Sequence, residues 1–289
     1  MKVGNLDGRL ILIGDDGAYV DVAEGSAGRF GHDPTAVYDR WDEFLEWAAT
    51  VDFSPENRVD TGQLSPPVPT PRQIFAIGLN YSDHASESGF AVPDQPTVFT
   101  KFVSCLASPH CDVTLPGDGN TDWEVELVAV IGRKGTDIDE SDAWSHIAGL
   151  TVGQDISERL TQSAGPAPQF SLGKSFPGFG PIGPWVVPVA EFSDPDDLEL
   201  GCSINGTEMQ RGRTKDLVFS VPALVSKLSR IVTLYPGDLI FTGTPAGVGL
   251  GRNPQVYLQE GDELVSWVEG IGEIRQRFVS AAARGENAA

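Results

Sequence analysis

Apolar positions fall in short blocks along the chain, and most blocks end at glycine or proline. Residues 9–13 (Arg9 followed by LILI) and 18–22 flank Asp15-Asp16-Gly17, a turn signal that predicts an N-terminal hairpin. Asp33 and Pro34 then open a helix. Val37, Trp41, Phe44, Leu45 and Ala48 recur at helical spacing, leaving Asp39, Asp42 and Glu43 for solvent. Ser65-Pro66-Pro67-Val68-Pro69-Thr70-Pro71 is too rich in proline to continue a helix or enter a sheet, and reads as a stiff extended connector. A domain boundary is placed there, giving a small N-terminal domain over 1–64, a linker over 65–72 and a main domain over 73–289.

Strand-like runs follow at Ile74–Leu79, Val98–Phe102, Glu124–Ile131, Trp185–Val189, Leu198–Ile204, Leu239–Thr242 and Glu263–Val268. Two helices are expected between them. One begins near Ser141; the other begins near Ser220, with Pro222 in its first turn and Leu224, Val225, Leu228 and Ile231 on one apolar stripe. Alternating strand–helix–strand units and internal repeats are absent, which disfavours a doubly wound nucleotide-binding sheet.

Composition sharpens this picture. The 33 glycines and 21 prolines among 289 residues favour many short strands and tight turns, hence an α+β, β-rich fold. Forty-one acids against 20 bases give a formal charge of −21, which argues against nucleic acid as a partner. No apolar run approaches the roughly 18 residues of a membrane span, and Asp7 and Arg9 interrupt the opening stretch, so no membrane association and a cytoplasmic location are expected. Cys105, Cys111 and Cys202 are too few for a disulfide framework and read as reduced packing residues.

The candidate chemistry begins in Asp122-Trp123-Glu124-Val125-Glu126-Leu127, where a period of two puts Glu124 and Glu126 on one strand face. Two neighbouring carboxylates repel unless a hard cation such as Mg²⁺ or Mn²⁺ takes both; a solvated acidic strand end fits the same pattern. Asp155 closes a strand-like run as a third acid, or caps the helical turn after it. His84 and Glu87 stand three apart just past a strand, as a general-base dyad or as a surface ion pair on one helical turn. The Gly-rich loop at 242–251 aims backbone N–H groups at an anion, or simply makes a tight connection.

In this order the pieces resemble the fumarylacetoacetate hydrolase family, of the acylpyruvase and 2-hydroxyhepta-2,4-diene-1,7-dioate isomerase type. The motifs are G-L-N-Y-x-D-H-x-x-E at 78–87, D-W-E-x-E-L at 122–127, D-I-S-x-R at 155–159, I-N-G at 204–206 and P-G-D-L-I-x-T-G-T-P-x-G-V-G at 236–249. The resemblance spans 74–272, and the first 64 residues carry no such motif. It implies a mixed β-roll catalytic domain behind a small N-terminal α+β domain, a homodimer, and a place in aromatic compound catabolism. It also implies Glu124, Glu126 and Asp155 as ligands of Mg²⁺, with Mn²⁺ or Ca²⁺ as alternatives. His84 with Glu87 becomes the acid/base pair on a lid and Lys174 the active-site lysine, while Arg159, Gln162 and Thr244 contact substrate. The chain departs from the common pattern at Leu160 and Pro177, which bears on the distal group of the substrate.

On that resemblance the substrate is a small 2-oxo acid chelating the ion, with Lys174 and Arg159 offsetting the negative charge of the triad. His84, held by Glu87, deprotonates a water that attacks the 4-carbonyl of a 2,4-dioxo acid, and carbon–carbon cleavage leaves an enolate held by metal and Lys174. Isomerisation of a 2-hydroxy-diene-dioate and decarboxylation of an oxaloacetate-like acid would use the same groups. The competing expectation from another class is a non-catalytic carboxylate-binding protein with a structural ion.

Overall fold

A computed structural model describes residues 1–87, 93–117 and 119–280. Val125–Ile131 and Ile147–Gln154 are buried along their whole length and pair antiparallel, Val125 opposite Gln154 and Ile131 opposite Ile147. Burial on both faces explains their nearly unbroken apolar runs. They form the centre of the larger sheet. Across it the strands run Tyr19–Asp21, Arg9–Ile13, Lys2–Leu6, Gly180–Pro188, Ile147–Gln154, Val125–Ile131, Leu239–Phe241, Ile74–Gly78 and Thr97–Thr100. Leu64–Ser65 joins at Lys2–Leu6, and Leu106–Ala107 joins at Gly180–Pro188.

A second sheet orders Thr207–Arg213, Glu199–Ile204, Glu263–Val268, Gly272–Val279 and His110–Thr114. Its first hairpin turns at Asn205 and Gly206, whose φ angles of 50° and 78° suit the tight turn that Asn-Gly favours. Leu127, Leu150 and Val152 of the larger sheet pack with Leu200, Leu264, Ile274 and Phe278 of the second in one core. The opposite face of the larger sheet is covered by a 3₁₀ turn, Ala36–Arg40, and a helix, Trp41–Ala48. There Val37, Trp41 and Phe44 pack with Leu10, Leu12, Val128, Val130 and Phe241. The α+β, sheet-rich architecture with mixed strand directions is therefore as expected.

Three local expectations are corrected. The segment near Ser141 is a 3₁₀ run, Glu140–His146, which passes directly into the strand from Ile147. The second helix, Val221–Ser229, is capped by Ser220, whose hydroxyl accepts the Ala223 N–H at 3.3 Å. Ile231 lies beyond that helix at 85% exposure, so the apolar stripe stops at Leu228. The proline-rich connector does enter the sheet at Ser65, opposite Asn5, and buries Val68. Segment 1–64 thus shares a sheet and a core with the strands that follow it. No helix among the described residues is long and apolar enough to cross a membrane.

Candidate active site

Strand register brings the three acids together. Continuing the Val125–Gln154 pairing by one residue sets Glu124 opposite Asp155, and the Asp155 N–H donates to the Glu124 carbonyl at 2.9 Å. Glu126, two positions along, shares their face, and its cross-strand neighbour is Gly153, which places no side chain in the way. The three carboxylates are buried and offer ligand oxygens within 4.8 Å of one another. Asp155 is not a helix cap; that role falls to Glu158, whose carboxylate accepts from the Leu160 and Thr161 amides.

Buried cations compensate unevenly. Lys174 Nζ donates to Glu124 Oε2 and Asp155 Oδ2, both at 2.7 Å, and to Ser157 Oγ at 2.8 Å. Lys101 Nζ donates to Asp155 Oδ1 at 2.7 Å and to the carbonyls of Phe179 and Lys174. Arg159 Nη1 reaches Glu124 Oε1 at 2.8 Å and Gln162 Oε1 at 2.9 Å, while its Nε donates to Asp122 Oδ2 at 2.9 Å. Glu126 accepts the Gly243 N–H at 2.8 Å and meets no cationic side chain within 4 Å among the described residues.

The two glutamates therefore titrate in opposite directions. Burial would raise Glu124, but Lys174 and Arg159 hold it down at about 2. Burial, reinforced by Asp155 and Glu124, pushes Glu126 well above the carboxylate range. An oxygen-only donor set with one carboxylate left uncompensated suits a hard divalent cation, so the residues fit the ion their spacing suggested.

His84 and Glu87 sit on the short helix Ser82–Glu87, where His84 Nδ1 lies 2.9 Å from Glu87 Oε1. The Gly247 N–H donates to both Glu87 oxygens, at 3.0 and 2.9 Å. Buried Asn80 anchors the start of this segment by donating to the carbonyls of Thr242 and Phe219 and accepting the Phe219 N–H. A cavity of about 50 Å³ lies between these groups, with His84, Glu124, Arg159, Gln162 and Lys174 as its polar wall. That is room for an ion and a water or so.

Two expectations about the Gly-rich loop change. Its amides take the protein's own carboxylates: Gly243 donates to Glu126, Gly247 to Glu87, and Gly249 and Leu250 to Asp122. Thr244 is not among the residues lining the cavity; its hydroxyl donates to the Val125 carbonyl and accepts from Gln210, each within 2.8 Å. Sequence reasoning also missed Lys101 and the anchoring role of Asp122. Lys101 did leave a signal, as the one charge in the apolar run Val98–Phe102.

So many buried titratable groups around one cavity are what catalysis requires and a packing core avoids, and fold and site together describe an enzyme. The chain belongs to the fumarylacetoacetate hydrolase family, whose C-terminal domain model matches residues 73–279. It is 42% identical over 214 residues to oxaloacetate tautomerase FAHD2A, mitochondrial, of Bos taurus, covering 74% of this chain and 68% of that one. It is 45% identical over 207 residues to 2,4-didehydro-3-deoxy-L-rhamnonate hydrolase of Sphingomonas sp. (strain SKA58), covering 71% and 72%. Among solved structures, a candidate HpcE protein from Mycobacterium smegmatis superposes with a TM-score of 0.93 at 56% identity, covering 97% of this chain and 100% of that one. Membership in a family of named hydrolases, isomerases and tautomerases sets aside the non-catalytic alternative.

Proposed function

We propose that the protein is a divalent-cation-dependent enzyme of 2-oxo acids, with hydrolytic carbon–carbon cleavage of an acylpyruvate-type 2,4-dioxo acid as its reaction. The observation that carries this reading is one cavity lined by His84, Glu124, Arg159, Gln162 and Lys174, with Glu126 and Asp155 beside Glu124. Glu124, Glu126 and Asp155 would hold Mg²⁺ or Mn²⁺, which when bound supplies a Lewis acid toward the 2-oxo acid head. Glu87, fixed by Gly247, sets the ring of His84 so that its free nitrogen faces away from the carboxylate and can take a proton from water. Lys174 places a buried ammonium beside the triad, where negative charge develops on the substrate during cleavage.

A second reading, enol–keto proton transfer, has support in the relatives named as tautomerase and isomerase, and it needs His84 as proton carrier without hydrolysis. The deciding experiment is a panel of acylpyruvates, oxaloacetate and hydroxy-diene-dioates, assayed with Mg²⁺ and again with chelator. Chelator-sensitive release of pyruvate from an acylpyruvate supports cleavage. Isomerisation without cleavage supports the second reading, and turnover untouched by chelator overturns both.

A further inference from the structure

We propose that Gln210 is a positioning residue for the cation-binding acids: with Thr244 it clamps both peptide groups of Val125, the residue between Glu124 and Glu126. This rests on the reading of Glu124, Glu126 and Asp155 as ligands of a divalent cation. Gln210 is the one buried side chain of the edge strand Thr207–Arg213, at 1% exposure. Burying an amide is costly unless its hydrogen-bonding capacity is used, and here all four positions are filled. Its Oε1 accepts the Val125 N–H at 3.0 Å and the Cys202 thiol at 3.3 Å. Its Nε2 donates to Thr244 Oγ1 and to the Pro245 carbonyl, both at 2.7 Å.

The Thr244 hydroxyl closes a ring by donating to the Val125 carbonyl at 2.8 Å. Val125 needs such a partner, because the strand Leu239–Phe241 pairs with Val128–Val130 and stops short of it. On the other edge Gln154 does the same for Glu124: its Oε1 accepts the Glu124 N–H and its Nε2 donates to Ser266 Oγ, each at 2.8 Å. The Glu124 carbonyl accepts the Asp155 N–H. Every backbone N–H and carbonyl of Glu124 and Val125 is thus held, both N–H groups by buried glutamines. A side chain leaves the backbone in a direction set by the peptide planes beside it, so a tilt at Val125 would turn the Glu124 and Glu126 carboxylates away from each other. Losing the partners that orient metal ligands typically costs about 10–100-fold in affinity. Gln210 and Thr244 are uncharged, so here the loss would come through geometry and not through the field at the site.

The test is calorimetric titration of Mn²⁺ into metal-free protein without substrate, with urea midpoints in EDTA to follow folding. Gln210→Met and Thr244→Val break the ring from its two sides, so either variant reads it if the other does not fold. Each is expected to weaken Mn²⁺ binding at least about tenfold. Because they break one ring, the double variant should lose less than about threefold beyond the weaker single variant. Thr244→Ser keeps the hydroxyl and should stay within about threefold of the wild type. Thr151→Val removes a buried hydroxyl from the same sheet, one that donates to the Gly183 carbonyl at 3.0 Å, and should also stay within about threefold however far its urea midpoint falls. Ring variants that bind Mn²⁺ as the wild type does overturn the positioning role while the cation reading stands. So does Thr244→Ser as damaging as Thr244→Val, or Thr151→Val as damaging as the ring variants. A wild-type protein that binds no Mn²⁺ overturns the cation reading, and the inference with it.

Discussion

Lys101 tests the electrostatic account of the site most sharply, because stability and cation affinity should move in opposite directions when it is removed. Its side chain is buried at 3% exposure, and its ammonium donates to Asp155 at 2.7 Å and to two carbonyls. Lys101→Met keeps an unbranched stem of similar length, so the change is chiefly electrical. Breaking one side of a buried ion pair costs about 3–5 kcal/mol, a large share of the roughly 5–15 kcal/mol that holds a domain folded. The same loss leaves Asp155 with Lys174 as its remaining cation, so the triad becomes more negative and should bind Mg²⁺ at least tenfold more tightly. Urea denaturation followed by tryptophan fluorescence, in EDTA and then in saturating Mg²⁺, reads both effects. The variant is expected to lose about 4 kcal/mol in EDTA, and tenfold tighter binding would narrow that deficit by about 1.4 kcal/mol once both proteins are saturated. A loss below about 1 kcal/mol in EDTA, or a deficit that Mg²⁺ leaves unchanged, would refute the reasoning.

Metal-free protein should show opposite pH behaviour at the two glutamates. Glu124 is held at about 2, so its contribution is complete above its ordinary value of 4.5 and is lost as pH falls toward 2; Glu124→Gln should abolish that acid-side slope. Glu126 is raised, so its contribution is present below 4.5 and is lost as pH rises toward its native value; Glu126→Gln should flatten the neutral-side slope, keep the fold and abolish cation-dependent turnover. Urea midpoints in EDTA across pH check both slopes, and a shared sign for the two variants would count against the charge distribution described. His84→Ala should lower acylpyruvate hydrolysis by about 10²–10⁴-fold and oxaloacetate decarboxylation by less, since the former needs an activated water; equal losses in parallel assays would remove that role. Gly249→Ala would drive a methyl group into the Val256 carbonyl and to 2.9 Å from Asp122, so loss of the loop should appear as reduced cation affinity by calorimetry, and an unchanged affinity would show that the loop does not brace the site.

What the sequence disclosed follows how local each signal is. The face shared by Glu124 and Glu126 is a property of one strand and is readable from alternation alone. That Asp155 lies opposite Glu124 depends on the Val125–Gln154 register, a long-range pairing that no local pattern encodes. Lys101 escaped notice because a lone lysine at the end of a strand is ordinarily solvated, and its burial arises from Asp155 and two carbonyls distant in sequence. Thr207–Arg213 was missed for a different reason: it is an edge strand with one buried side chain and a largely polar sequence, so it carries no apolar alternation, although Asn205-Gly206 marked its turn. The helix Val221–Ser229 was legible because its cap, its early proline and its stripe are all local.

The Gly-rich loop shows why motif chemistry and motif role can diverge. Its amides do bind carboxylates, as nests of backbone N–H groups do, but the carboxylates belong to the enzyme itself. Gly243 holds Glu126 of the triad, and Gly247, four residues on, holds Glu87 beside His84. A single stretch of backbone therefore ties the helix Ser82–Glu87 to the three acids. Asp122 extends the brace, accepting from Gly249 and Leu250 while it holds Arg159, whose guanidinium in turn reaches Glu124. The loop keeps two sets of charged groups in register, and its glycines stand where the backbone takes a positive φ, at Gly243 and Gly247, or approaches another backbone closely, at Gly249.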